Sequence, residues 1–253
     1  MTERISSTQG HTPFIRWALA SRPMRGQATS GDCATVLVSG ARTILAAIDG
    51  LGHGPEAAHA SRRASEVIDH NPAEPLEVLL LLAHRELAET RGAAATVAIV
   101  DAESGTLQWL GVGNVEGVLV RADIEARPRS RGVFLVSGVL GYHVARMHVP
   151  EPLALAHGDL IVLATDGVRA NLAEVARLDL TPDRLANSIL TKHGQPDDDA
   201  LVLAARYQAP HMPEVTGFAD SGDEQSVFQP LNRPSDKLDD DSTYGPLGPS
   251  SNR

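Results

Sequence analysis

Aspartates fall at four places where apolar segments begin or end. Asp49 closes the run ILAAID and opens the glycine-rich turn DGLGHG; Asp166 closes LIVLATD and opens a second Asp-Gly turn. Asp32 stands in SGDC at the start of a predicted strand, and Asp197, Asp198 and Asp199 immediately precede the last one, LVLAAR. Taken singly, each is ordinary turn or cap chemistry, since Asp-Gly is a common turn dipeptide. Taken jointly, they describe acids at the mouths of buried strands. Carboxylates gathered there repel one another and hold protons more tightly unless cations sit among them. Hard oxygen donors of this kind suit Mg²⁺ or Mn²⁺ rather than zinc, which prefers His and Cys. Gly50 and Gly167, beside Asp49 and Asp166, let backbone and ligand approach closely. His53 lies in the same turn as Asp49, where it could serve as a general acid or orient water. Paired with His59 it lacks the helical spacing of a zinc site.

These residues need strands to hold them. Residues 14–20, 34–38 and 42–48 read as three strands, rich in apolar and β-branched side chains and separated by turn residues. Two helices follow, over 55–69 and 75–91: Pro55 suits a first helical turn, Leu76, Leu79, Leu80, Ala83 and Leu87 recur at helical spacing, and Gly92 is placed to stop the second. Strands are then predicted over 96–101, 107–112, 117–121, 132–136, 143–149 and 159–165. Thr181-Pro182-Asp183 opens a helix over 184–193, and a last strand covers 200–206. Consecutive strands joined by short turns imply largely antiparallel sheets, and each sheet needs one face covered. The expected fold is α+β, an α/β/β/α sandwich in which the first helix pair covers one sheet and the later helices the other.

Composition limits the alternatives. A chain of 253 residues, 42% hydrophobic and 21% charged, has material for one ordinary domain. The net charge of −10 and the 4% aromatic content argue against nucleic-acid binding, which selects for clustered Lys and Arg and for stacking platforms. No apolar stretch approaches the roughly 20 residues of a membrane span. The single cysteine, Cys33, excludes an internal disulfide and fits a reducing cytoplasm. Residues 208–253 carry eight acids against three bases and six prolines, with almost no periodic apolar pattern, and read as an acidic disordered tail. Residues 1–12 read as a flexible N-terminus, which leaves 13–207 for the folded domain. A dinucleotide-binding reading fails because Gly50, Gly52 and Gly54 follow GxGxG rather than GxGxxG, and a leading Asp repels a pyrophosphate.

With these elements in place the chain resembles the metal-dependent protein phosphatases of the protein phosphatase 2C-like superfamily, and within it the compact bacterial SpoIIE/RsbX-type branch. The residues that carry the resemblance are SGDC at 30–33, AAIDGLGHGPEAA at 46–58, GVGN at 111–114, ATDG at 164–167 and the closing DDDALVL. The resemblance implies a protein serine/threonine phosphatase with two bound Mn²⁺ or Mg²⁺ ions. It implies that Asp49 bridges both ions and Gly50 offers its carbonyl, with Asp32, Asp166 and either Asp197 or Asp198 completing the ligands; the register running without a gap into the last strand favours Asp198. The family's closing motif reads Asp-Asp-x-Thr or Asp-Asp-x-Ser, and neither register here supplies the hydroxyl. The segment around Asp32 also lacks the second acid of a GGDYYD-like motif. The implied partner is a phosphorylated protein, a STAS-type antagonist or stressosome component in bacterial stress signalling. The competing expectation is a phosphatase-like binding or scaffold module without turnover.

Overall fold

The computed structural model describes residues 6–148 and 150–209. Its elements in chain order are β1 (Ser6–His11), β2 (Ile15–Arg22), β3 (Asp32–Ser39), β4 (Arg42–Gly50), α1 (Pro55–His70), α2 (Leu76–Glu86), β5 (Ala93–Asp101), β6 (Thr106–Val112) and β7 (Glu116–Val120). There follow β8 (Ser130–Gly132), β9 (Leu135–Val136), β10 (Gly138–Val139), β11 (His143–Val144), β12 (Leu153–Ala154), β13 (Leu160–Ala164), α3 (Leu172–Val175), α4 (Pro182–His193) and β14 (Ala200–Tyr207).

Two antiparallel sheets result, ordered β1-β2-β14-β13-β7-β8 and β12-β6-β5-β4-β3, with β9 added in parallel to β6. Alternation along each strand decides what it covers, because successive side chains point to opposite faces. In β4, Leu45 and Ala47 enter the core between the sheets, where they meet Ile161 and Leu163 of β13 and Leu201 and Leu203 of β14. Ile44, Ala46 and Ile48 point the other way, onto Ala60, Ala64 and Ile68 of α1 and Leu76, Leu79, Leu80 and Ala83 of α2. The outer face of the second sheet behaves likewise: Val162, Val202 and Ala204 pack on Leu185, Ala186, Ile189 and Leu190 of α4. Burying each of these larger side chains contributes about 1.5–3 kcal/mol, which is what fixes the register of the central strands. The layers are therefore helix, sheet, sheet, helix, as the sequence predicts. Among the described residues no helix is long and apolar enough to cross a membrane.

The structure departs from the sequence-based expectation in four places. Ser6–His11, within the stretch read as flexible, forms β1 and pairs along its whole length with β2. Its sequence SSTQGH is almost entirely exposed, so it carries no apolar signal; the open edge of β2 recruits it through main-chain hydrogen bonds. The second helix stops at Glu86 rather than at 91. Leu87 remains buried, but Thr90 accepts the Gly92 amide and donates to the Leu87 carbonyl, turning the chain before Gly92 at φ +76°. Where strands are predicted over 132–136 and 143–149, the described residues form only the short pieces β8 to β11. The short β12 and α3 are additional. The acidic tail lies outside the described residues from 210 onward.

Candidate metal centre

The same alternation that buries Leu45 and Ala47 carries Asp49 to the inner side of its sheet, at the open mouth between the two sheets. Asp32 begins β3 as the register partner of Asp49. From the facing sheet, β13 ends at Ala164 and delivers Thr165 and Asp166 to the same mouth, and β14 begins just after Asp197, Asp198 and Asp199. Segments far apart in the chain thus bring their acids to one end of the sandwich.

Contacts between the sheets fix these groups. Thr165 Oγ1 donates to Asp32 Oδ2 at 2.7 Å while accepting the Leu201 amide at 2.9 Å, so its hydroxyl has one orientation. Asn114, in the connection from β6 to β7, donates through Nδ2 to Asp166 Oδ2 at 2.6 Å. Asp199 is only 3% exposed; its two carboxylate oxygens accept the backbone amides of Met24 and Gly31, each at 2.8 Å. Two amide-to-carboxylate bonds of roughly 1.5–3 kcal/mol each offset much of the cost of burying that charge. Asp199 thereby holds the residue before Asp32. Glycines permit the tight fit: a Cβ on Gly50 would run into the Ala57 carbonyl, and one on Gly167 into the Asp199 carbonyl.

Electrostatics mark the carboxylates as a group. Burial, followed by the charges of Asp199, Asp166 and Asp198, raises the Asp32 carboxyl to about 8, although the Thr165 hydroxyl pulls the other way. Asp49 is raised to about 9 by burial, then by the charges of Asp32 and Asp166, a hydrogen bond with Asp166 and the charge of Asp198. Asp198 is also raised, by burial and then chiefly by Asp166. Asp32, Asp49, Asp166 and Asp198 therefore share one electrostatic field. Asp197 is exposed and enters that network only as a neighbour of Asp198. Among the described residues no three Asp, Glu, His or Cys side chains are gathered so that they could hold an ion as they stand. The fit to a cation lies instead in the donor chemistry: four acids ring one opening, and two of them hold protons that a cation would displace.

His53 sits on the exposed turn between β4 and α1, with Nδ1 at 3.3 Å from the Gln27 amide nitrogen. Cys33 faces away from Asp32 and is half-buried, with its thiol pushed up by burial. Sequence reasoning did not single out Thr165, Asn114 or Asp199 as positioning groups. The one available signal is spacing: Asp199, just before β14, stands two positions from Leu201 and four from Leu203, both of which enter the core between the sheets.

Residues 39–208 match the family model described as Stage II sporulation protein E (SpoIIE). None of the curated proteins matches the chain. A solved structure described under the heading of the bacterial stressosome as a modular system adapted to control secondary messenger signalling is 31% identical; the alignment covers 76% of this chain and 99% of that one, with a TM-score of 0.69. RsbX in complex with magnesium is 19% identical over 80% of this chain and 100% of that chain, with a TM-score of 0.71. The phosphatase domain of SpoIIE from Bacillus subtilis, with a fragment of its regulatory domain, is 19% identical over 81% and 72%, with a TM-score of 0.60. The chain belongs to the SpoIIE family of protein phosphatase 2C-like serine/threonine phosphatases.

Proposed function

We propose that the protein hydrolyses phosphoserine or phosphothreonine on a protein partner, using divalent ions held at the mouth between the sheets. The observation that carries this reading is the shared field of Asp32, Asp49, Asp166 and Asp198, in which burial and mutual repulsion raise Asp32 to about 8 and Asp49 to about 9. Asp49 and the Gly50 carbonyl would hold the ions together with Asp32, Asp166 and Asp198. Asp198 takes this role over Asp197 because Asp32 and Asp49 both feel its charge. Mn²⁺ or Mg²⁺ held by these residues would activate water near neutral pH and offset the negative charge of the phosphoryl group under attack. Thr165 and Asn114 hold the carboxylates of Asp32 and Asp166 in place, and Asp199 anchors the approach to Asp32. His53, at the exposed edge of the Asp49 turn, gives a proton to the leaving serine or threonine oxygen. The likeness to a stressosome-associated structure supports a phosphorylated regulatory protein of bacterial stress signalling as substrate.

Release of phosphate from a phosphoserine peptide, with Mn²⁺, Mg²⁺ or EDTA, tests this reading. Turnover that requires the metal and disappears in Asp49→Asn is the expected outcome. A well-folded protein without turnover under any of these conditions sinks it. One feature favours a second reading, that of a binding module without turnover: the closing acidic motif is followed by Ala200 and Leu201, where the family places a hydroxyl. In that case the protein binds its phosphorylated partner without releasing phosphate.

A further inference from the structure

We propose that Arg91 binds the phosphoryl group of the substrate, and that Glu56 holds its guanidinium beside the site until a phosphate takes its place. The inference rests on the phosphatase reading and adds the residue that recognises the substrate's charge. In the β4–β5 ladder Asp49 opposes Ala94 and Gly50 opposes Ala93, so the two strands leave the sheet together at the acidic mouth. The chains stay joined one step further, where the Leu51 amide donates to the Gly92 carbonyl at 3.0 Å. Arg91 therefore lies alongside the DGLGHG turn, although 42 positions separate it from Asp49 in sequence.

Its side chain reaches onto that turn. Arg91 Nη1 stands 2.9 Å from where a Cβ of Gly52 would be, so the guanidinium occupies space that any other residue at 52 would fill. Nη2 pairs with Glu56 Oε2 in the first turn of α1. Both side chains are about half-exposed or more, at 49% and 68%. Such a pair is weak and exchanges readily with solvent. A phosphate dianion offers the same planar fork two strongly accepting oxygens and more charge, so it can displace a single exposed carboxylate. Surrounding surface suits a phosphate carried on a protein: Leu51 is 38% exposed and Tyr142 is 65% exposed, with the Tyr142 ring edge 2.9 Å from where a Cβ of Gly92 would be. The mouth itself is lined by acids, so a cationic side chain at its rim is also what keeps a dianionic substrate from being repelled.

The test measures inorganic phosphate binding by calorimetry in the presence of Mn²⁺, alongside KM and kcat for a phosphoserine peptide, in wild type, Arg91→Ala, Arg91→Lys and Glu56→Gln. Arg91→Ala should weaken phosphate binding and raise KM by roughly tenfold or more, with a smaller change in kcat, and Arg91→Lys should recover part of the loss. Glu56→Gln should act in the opposite direction, tightening phosphate binding, because it frees the guanidinium. If the ion pair were only structural, both substitutions would shift binding and melting temperature the same way, and the proposal would be overturned. Phosphate binding that moves as expected in a protein without turnover keeps this proposal and removes the phosphatase reading. Turnover with phosphate binding and KM unchanged in Arg91→Ala does the reverse.

Discussion

Thr165 and Asp32 join the two sheets of the sandwich through a single hydroxyl: Thr165 Oγ1, at the end of β13, donates to Asp32 Oδ2, at the start of β3, at 2.7 Å. Because the same oxygen accepts the Leu201 amide, it cannot rotate away without leaving a buried donor unmet. The bond favours ionised Asp32 against the burial and repulsion that favour its protonated form. Thr165→Val keeps the shape and removes both bonds. The expected cost is about 1–3 kcal/mol in urea denaturation, with Asp32 raised further and Mn²⁺ binding displaced to higher pH. Thr165→Ser should restore both properties; if valine and serine behave alike, the hydroxyl has no such role.

The raised acids make a pH prediction for the metal-free protein. An unfolded Asp titrates near 3.8, whereas in the fold Asp32 titrates at about 8 and Asp49 at about 9. Between these limits the native state binds more protons than the unfolded one, so their contribution is favourable at low pH and is lost as pH rises through about 8 to 9. With EDTA present, the melting temperature should fall from pH 6 to pH 9. Added Mn²⁺ or Mg²⁺ should raise it more at pH 8 than at pH 6, since ligation requires the deprotonated acids. A melting temperature in EDTA that climbs steadily over this range would contradict the clustering of these carboxylates.

Asp199 is a buried acid beside the proposed metal ligands. Its side chain takes the amides of Met24 and Gly31, and Asp199→Ala would leave both without their partner in a buried setting. A loss of roughly 2–4 kcal/mol is expected, together with loss of the Asp32 position and hence of activity. Asp199→Asn, which keeps one acceptor oxygen, should fall between alanine and wild type. Equal stability of all three in urea denaturation would remove Asp199 from this role.

Gly167 has no room for a side chain. An added Cβ would strike the Asp199 carbonyl, a backbone atom just before β14 that cannot swing aside. Gly167→Ala should therefore destabilise the domain by about 1–3 kcal/mol or more and separate Asp166 from Asp198. At Gly40, where no atom lies within 4 Å of the added Cβ, only the strain of φ +60° applies, and the loss should be smaller. Thermal melts of the two alanine variants check the order; a reversed order would contradict the close approach at Gly167.

Much of this arrangement is legible in the sequence, and the reason is periodicity. β4, β13 and β14 are apolar on both faces because each lies between a helical layer and the opposite sheet, so their runs stand out and their terminal aspartates with them. Helices α1 and α4 announce themselves by proline at the first turn and apolar residues at helical spacing. What escaped is what depends on contacts between distant segments. β1 is a polar strand stabilised by the neighbouring strand's main chain. The Thr165–Asp32 and Asn114–Asp166 bonds span 133 and 52 positions, and no local pattern reports them. The run of three aspartates was ambiguous for the same reason: only the fold separates exposed Asp197, Asp198 facing Asp166, and buried Asp199.

The proposed metal centre at the mouth of the sandwich can be tested directly. Calorimetric titration of the metal-free protein with Mn²⁺ at pH 8 addresses it without reference to any substrate. Saturable binding is expected, abolished in Asp49→Asn, weakened at least tenfold in Asp166→Asn and Asp198→Asn, and nearly unchanged in Asp197→Asn. Binding of equal strength in wild type and Asp49→Asn, with both proteins folded, would contradict it.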